Sequence, residues 1–172
     1  MSKISVTQPT NLNQLNVVGF EVNIARLPNT EFFCQRVNVP GVILGETVEA
    51  SPFMNTPLEG DTLTFESLTI GFILDEDMQN YIEIYNWLVG LGSPSSMDQY
   101  RRFQNASINQ SNLSDATLSI LSSKYNPNLR VKFTNMFPES ISQLLFTTTA
   151  SDIDYLEATV SFRYSMYTIE SL

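Results

Sequence analysis

The sequence predicts a mainly β fold, an antiparallel β-sandwich or half-barrel with one flanking α-helix. Apolar and polar residues alternate along most of the chain, as they do in strands that bury one face. Proline, glycine and asparagine separate these stretches at short intervals, which is typical of turns between antiparallel strands. A clear helical repeat of apolar residues occurs only in residues 75–92, so a single helix is expected beside the sheets.

The chain of 172 residues is long enough for one domain with a substantial core. We expect a flexible N-terminal arm over residues 1–15, which are rich in Asn, Gln, Ser and Thr, and a single β domain over residues 16–172. The first residues lack the apolar segment of a secretory signal. No apolar run approaches the roughly 20 residues of a membrane span, so no membrane insertion is expected.

The first half of the chain alternates in strand fashion. Residues 18–27, 31–39 and 42–50 each show the two-residue period of a strand. Residues 28–30, which read Pro-Asn-Thr, predict a turn between the first two strands. Residues 51–61 contain two prolines and a glycine and are interpreted as a loop or an extended arm.

A change of parity marks the strand predicted over residues 62–75. Leu63 and Phe65 share one face, whereas the next apolar residues, from Leu68 onward, occupy the opposite parity. A strand that keeps its apolar side inward must gain one residue near Glu66 and Ser67. A β-bulge would supply that residue, and a break into two strands is the alternative.

The predicted helix over residues 75–92 is apolar on two adjoining stripes. Asp75 is the expected N-cap, and Gly90 or Gly92 can end the helix. We expect the first stripe to pack on the subunit's own sheet; it contains Met78, Tyr81, Ile82, Tyr85, Leu88 and Val89. The second stripe contains Ile84, Trp87 and Leu91 and is expected to contact a neighbouring subunit. Cover by a terminal arm of the same chain is the alternative.

The second half of the chain predicts a polar connection followed by further strands. Residues 93–112 form the connection, and residues 115–137 read as a hairpin around Asn126-Pro127-Asn128. Residues 141–152 are interpreted as a strand and turn. The closing stretch, 155–167, alternates throughout and is predicted to be one long strand. Its polar face holds Glu157, Thr159, Ser161 and Arg163.

The composition excludes most catalytic and metal-binding chemistry. With no histidine and only Cys34 as a thiol, the chain cannot form Ser-His-Asp or Cys-His catalytic sites or zinc sites that use imidazole. The acidic run at residues 75–77 is explained by its position at a predicted helix start. The net charge of −9 lacks the cationic footprint of a nucleic-acid-binding protein. We therefore expect a protein that is not an enzyme and needs neither metal nor cofactor.

Three segments of the chain carry a resemblance to one protein family. The first is "FEVNIARLPNTEFFCQRVNVPGV" (20–42), two strands that end at Pro-Gly. The second is "EGDTLTFESLTIGFILDEDMQNYIEIYNWL" (59–88), with a strand, an acidic helix start and a Trp-containing helix. The third is the close of the chain, from Phe137-Pro138 to the aromatic strand at Tyr164 and Tyr167. In this order the segments resemble the tube protein family of the contractile tails of T4-like phages.

The resemblance implies a structural protein of the virion tail that is assembled in the host cytoplasm. Six copies would close into a ring whose inner sheets join as one larger barrel. Such rings stack into a tube that conducts genomic DNA without binding it specifically. The implied partners are further copies of the chain and the tail sheath, tape-measure and baseplate proteins.

The implied ring gives roles to two sets of residues. The polar face of the last strand, with Glu157, Thr159, Ser161 and Arg163, is expected to face the lumen. A long strand of this kind suits a channel wall, with its apolar side on the core and its polar side in water. The expected subunit interface contains Ile84, Trp87, Leu91, Phe53 and Met54.

Two departures from the family pattern leave a second function open. The Asn-rich arm and the polar connection over residues 93–112 suggest a specialised ring at one end of the tube, either a baseplate tube initiator or a terminal adaptor. A sugar-binding or adhesin module of the β-sandwich type is the alternative from another class. Such a module would be a monomer with surface aromatic residues in one groove, whereas the aromatic residues here follow strand and helix periods.

Overall fold

The computed structural model describes residues 14–15, 18–50, 52–92, 98, 101, 112–148 and 155–172. The predicted arm and the polar connection lie almost entirely outside these residues, so the domain boundaries stay a prediction. The described elements are β1 Phe20–Ile24, α1 Pro28–Phe32, β2 Cys34–Val37, β3 Val42–Ala50, β4 Asn55–Phe65, β5 Leu68–Ile73, α2 Gln79–Gly92, β6 Ser114–Leu121, β7 Pro127–Ile141, β8 Glu157–Arg163 and β9 Met166–Ser171. No helix among the described residues is long and apolar enough to cross a membrane.

Seven antiparallel strands form the main sheet, in the order β1-β6-β7-β8-β5-β2 with β9 also beside β7. The long strand β7 joins two parts of this sheet. Its first half lies between β6 and β9, where Val131 pairs with Leu118 and Ile169. Its second half pairs with β8, where Ile141 is opposite Val160. The result is an open, half-barrel arrangement, which confirms the predicted fold class.

The alternation in the sequence corresponds to a core filled from both parts of the sheet. Alternate side chains of β1, β5, β6, β7 and β8 are buried, and α2 adds two more. The most completely buried large side chains include Trp87, Phe72, Phe133, Phe162, Ile70 and Met136. Each of these five strands therefore buries one of its two faces, as the two-residue period predicts.

The helix begins later than the sequence predicts. Asp75 is not its N-cap, because residues 75–78 form a turn in which the Met78 amide donates to the Asp75 carbonyl at 3.0 Å. Met78 has a φ of 53°, which is outside the helical region, and α2 starts at Gln79. The buried Asn80 side chain donates to the Ile73 carbonyl at 2.8 Å and so fixes the start of α2 against the end of β5.

The second stripe of α2 does not have the role predicted for it. Ile84 is 0 % exposed and Trp87 is 2 % exposed, so both lie in the subunit's own core and offer no surface to a neighbour. Leu91 is half-buried and packs against the same core. The first stripe is divided: Tyr81 and Leu88 pack against the core as predicted. Ile82 and Tyr85 are 40 % and 53 % exposed. The assignment of Ile84 and Trp87 to a subunit interface is therefore wrong.

Three other elements differ from the predicted boundaries. Residues 28–32 form a single helical turn instead of a simple turn. The strand predicted over residues 62–75 is broken at Glu66-Ser67 into β4 and β5, which belong to different sheets. No bulge forms there because the chain leaves one sheet and enters another. The closing strand is likewise broken at Tyr164-Ser165 into β8 and β9, which follow different halves of β7.

Candidate assembly surfaces

Strands β3 and β4 form a separate two-stranded sheet, which we call the hairpin arm. The predicted loop or extended arm at residues 51–61 is part of it, since β4 already begins at Asn55. Every residue of β3 is exposed, and no third strand pairs with the arm in the described part of the chain. At the tip, Phe53 is 98 % exposed and Met54 is 69 % exposed. The other exposed large apolar side chains are Val42, Ile43, Leu44, Val48, Leu58 and Leu63.

These properties are typical of a segment that interacts with another protein surface. An isolated two-stranded hairpin is at best marginally stable in water, because too little apolar surface is covered. Many exposed apolar side chains on one element favour an interaction site there. The location of Phe53 and Met54 at the tip is consistent with their predicted place in a subunit interface, and that role stays a prediction.

The hairpin arm is also acidic. It carries Glu46, Glu49, Glu59 and Asp61, and no lysine or arginine occurs between residues 42 and 65. Glu46 lies directly opposite Glu59 on the ladder. Like charges in this position repel, so a partner surface that places a basic group between them would be favoured.

Two tyrosines fix the point at which the hairpin arm leaves the body of the domain. The Tyr164 hydroxyl donates to the Glu66 carbonyl at 2.8 Å, just after β4. The Tyr167 hydroxyl donates to the Pro40 carbonyl at 3.1 Å, just before β3. The Phe65 ring lies 6.0 Å and 5.6 Å from these two rings, between centroids. Both sides of the arm are thus hydrogen-bonded at the base, one to Tyr164 in the bend after β8 and the other to Tyr167 in β9.

Further hydrogen bonds close the base of the arm. The Glu66 amide donates to the Gly41 carbonyl at 3.0 Å, and the Gly41 amide donates to the Glu66 carboxylate at 3.3 Å. The Asn38 side chain donates to the Ser67 carbonyl at 3.1 Å. Because these bonds join the segments that flank β3 and β4, they hold the two sides of the arm together at its base.

We expect Tyr164 to titrate at a higher pH than an ordinary tyrosine does. Burial, with a smaller effect of Tyr167, raises the pKa of its phenol to about 12. The phenol is uncharged when protonated, so this contribution to stability is complete below about pH 10 and is lost as the pH rises towards 12. Ultraviolet titration of tyrosinate should show one late step that Tyr164→Phe removes. A titration curve without a late step, or one whose late step survives in Tyr164→Phe, would contradict this placement.

The polar face of β8 is the second candidate surface. Glu157, Thr159, Ser161 and Arg163 share this face, as predicted, while the alternate residues of β8 are buried. Strand β8 lies inside the sheet, between β5 and β7. The polar face is therefore continued on both sides by neighbouring strands.

Both charged residues of the polar face have partners on other strands. The Arg36 guanidinium on β2 contacts the Glu157 carboxylate at 2.9 Å, and Arg163 contacts Glu139 on β7 at 2.8 Å. Arg36 reaches Glu157 by crossing Gly71 of β5; a Cβ on Gly71 would lie 2.9 Å from its Nε atom. Arg36 and Glu139 were not predicted from the sequence as residues of this face. The lone glycine within the apolar strand 68–73 was the one available signal that a side chain crosses there.

A model of a protein family described as "Phage tail tube protein" matches residues 3–170 of the chain. The tail tube terminator protein of Enterobacteria phage T4 is 26 % identical over 165 residues, which cover 92 % of this chain and 90 % of that protein. The tube-terminating cap of the anti-feeding prophage has a similar fold, with a TM-score of 0.63 and 12 % identity over 99 % of this chain and 100 % of that one. The sheath/tube terminator of the PVC extracellular contractile injection system gives a TM-score of 0.57 and 12 % identity, with 92 % and 98 % covered.

Proposed function

The chain belongs to the phage tail tube protein family, and on this premise we propose that it is the terminator of a contractile-tail tube. It is a structural protein of the virion tail. We propose that six copies form a ring that occupies one end of the tube and stops its growth. The sequence predicted a ring that is repeated along the tube, with a specialised ring at the tube end as the alternative. We propose the alternative.

The T4 relative is the observation that carries this proposal. Its likeness extends over 92 % of the chain, and its name is that of a tube terminator. The similarity in fold to the cap of the anti-feeding prophage runs over nearly the full length of both chains and agrees with it. The family match also speaks against a sugar-binding or adhesin module.

The hairpin arm supplies the contact that a terminal ring needs. The arm leaves the domain where β2 ends and β5 begins, so it projects from one end of the sheet. We propose that its apolar tip, with Phe53 and Met54, docks on the neighbouring ring of the tube. Leu91, which is half-buried, is retained as a contact between neighbouring copies. With one projecting arm per copy, only one side of the ring would bind the neighbouring ring of the tube.

The polar face of β8 is proposed to line the channel. Its opposite face is sealed by Ala158, Val160 and Phe162, so only the polar side can meet water. Its charges balance, because two arginines are paired with two glutamates. A lining without excess positive charge does not hold DNA through counterion release, so genomic DNA can pass without specific binding.

The proposed partners are other copies of the chain and the last ring of the tail tube. The sheath is a further proposed partner, since the similar PVC structure is a sheath/tube terminator. Contacts with the tape-measure and baseplate proteins stay predictions.

Labelling the chain in intact tails tests the terminal position. A small tag on the C-terminal residue Leu172, which is exposed, can carry gold particles for electron microscopy. We expect label at one end of the tube and tubes of irregular length when the gene is deleted. Label spaced evenly along the whole tube would show a repeated ring and would refute the terminator proposal.

A further inference from the structure

Both arginines at the polar face of β8 are paired with glutamates, so their positive charges are neutralised. We propose that Glu157 and Glu139 act as fixed counterions that withhold Arg36 and Arg163 from the phosphates of DNA in the channel. The inference rests on the proposed lumenal position of this face. It adds that the glutamates, and not an absence of arginines, keep DNA from binding.

The arginines link neighbouring strands of the proposed wall. Arg36 extends from β2, an outermost strand of the sheet, across Gly71 of β5 to Glu157 of β8, so one side chain spans three strands. Arg163 joins β8 to β7 where their register shifts between Pro138 and Ser140. A guanidinium suits this task because it presents several donors in a rigid plane. The same geometry fits phosphate, so each arginine would bind DNA if it lost its partner.

The two ion pairs lie at opposite ends of the polar face of β8. Glu157 and Arg163 are the first and last residues of β8, roughly 20 Å apart at the usual rise of a strand. Between them lie the uncharged Thr159 and Ser161. Double-stranded DNA carries one charge about every 1.7 Å of its axis, so a passing duplex always has phosphates near both pairs. The glutamates are therefore needed at both ends.

Isolated protein tests the masking directly. In the variant Glu139→Gln/Glu157→Gln both arginines keep their positions but lose their counterions. The matched control is Glu46→Gln/Glu59→Gln, which removes the same two charges from the hairpin arm, where the sequence has no cation to release. The probe is a fluorescent duplex of about 30 base pairs, observed by anisotropy. Melting temperatures of both variants should stay within a few degrees of the native protein.

We expect the first variant to bind the duplex about tenfold more tightly than the control at about 50 mM NaCl. Two freed arginines add about −1.8 to the slope of log affinity against log salt, so most of this gain should disappear by about 200 mM. Equal affinities of the variant and the control would overturn the inference, while the terminator proposal would stand on the labelling result.

Assembled particles test the place where the masking acts. Genome ejection should be slower with Glu139→Gln/Glu157→Gln, and either added salt or Arg36→Gln/Arg163→Gln in the same chain should restore it. The control is Glu170→Gln, which frees Lys132 on β7, beside β9. It should leave ejection unchanged. If the first variant binds DNA in isolation but ejects it at the normal rate, the polar face does not line the channel and the inference fails there.

Discussion

Replacing Trp87 with alanine is expected to destabilise the folded subunit by about 3–5 kcal/mol, the usual range for a large aromatic residue in a core. The ring is 2 % exposed and lies 6.1 Å from Phe162, between centroids. Its indole N–H donates to the Asn112 carbonyl at 3.0 Å, and the Arg26 guanidinium lies 5.2 Å from the ring. Truncation would open a cavity and remove the hydrogen bond to the segment after α2.

Thermal unfolding of the isolated protein measures this effect. For a chain of this size the loss corresponds to a fall in melting temperature of about 6–20 °C. The matched control is Tyr85→Ala on the same helix, which is 53 % exposed and should change stability much less. If Trp87→Ala melted normally and failed only in assembly, Trp87 would belong to a subunit interface after all.

The sequence predicts which residues of α2 are apolar but not which stripe is buried. Both stripes are long enough to cover a sheet, and their difference depends on the rotation of the helix about its axis. That rotation is set by contacts distant in the chain, such as Asn80 with Ile73 and Trp87 with Asn112. Size alone was a usable signal, since burying the indole removes more apolar surface from water than burying smaller side chains.

Strand positions could be predicted because the two-residue period is a local property. The breaks could not, since they depend on where the chain changes partners. Tyr164-Ser165 is a break because β8 follows the second half of β7 and β9 the first. Tyr164 and Tyr167 then bind the base of the hairpin arm through carbonyls 98 and 127 residues away. Such long-range contacts leave no periodic signal in the sequence.

On the polar face of β8, too, local features could be predicted from the sequence and long-range contacts could not. Parity correctly grouped Glu157, Thr159, Ser161 and Arg163 on one side of β8. Their ion-pair partners, Arg36 and Glu139, are 121 and 24 residues away and come from different neighbouring strands. The grouping follows from one strand, whereas the pairing follows from the order of the sheet.

The substitution Gly60→Ala is expected to abolish assembly while leaving the body of the domain folded. A Cβ at this position would clash with the Gly45 carbonyl oxygen and lie 2.6 Å from its carbon. Both are backbone atoms of the opposite strand, at the register shift between Leu44 and Glu46. The two strands must separate there, so the tip with Phe53 and Met54 would be displaced. The core is spared, because none of its buried residues belongs to β3 or β4.

Gly45→Ala is the matched control, since a Cβ there would lie 3.4 Å from the Thr62 carbonyl oxygen, an ordinary contact. Melting temperatures of both variants should stay close to that of the native chain, because the arm adds little to the core. Limited proteolysis should cut Gly60→Ala faster within residues 42–65, and only this variant should be missing from purified tails. Incorporation of both variants at the native level would mean that the hairpin arm makes no contact needed for assembly, because its shape would then not matter.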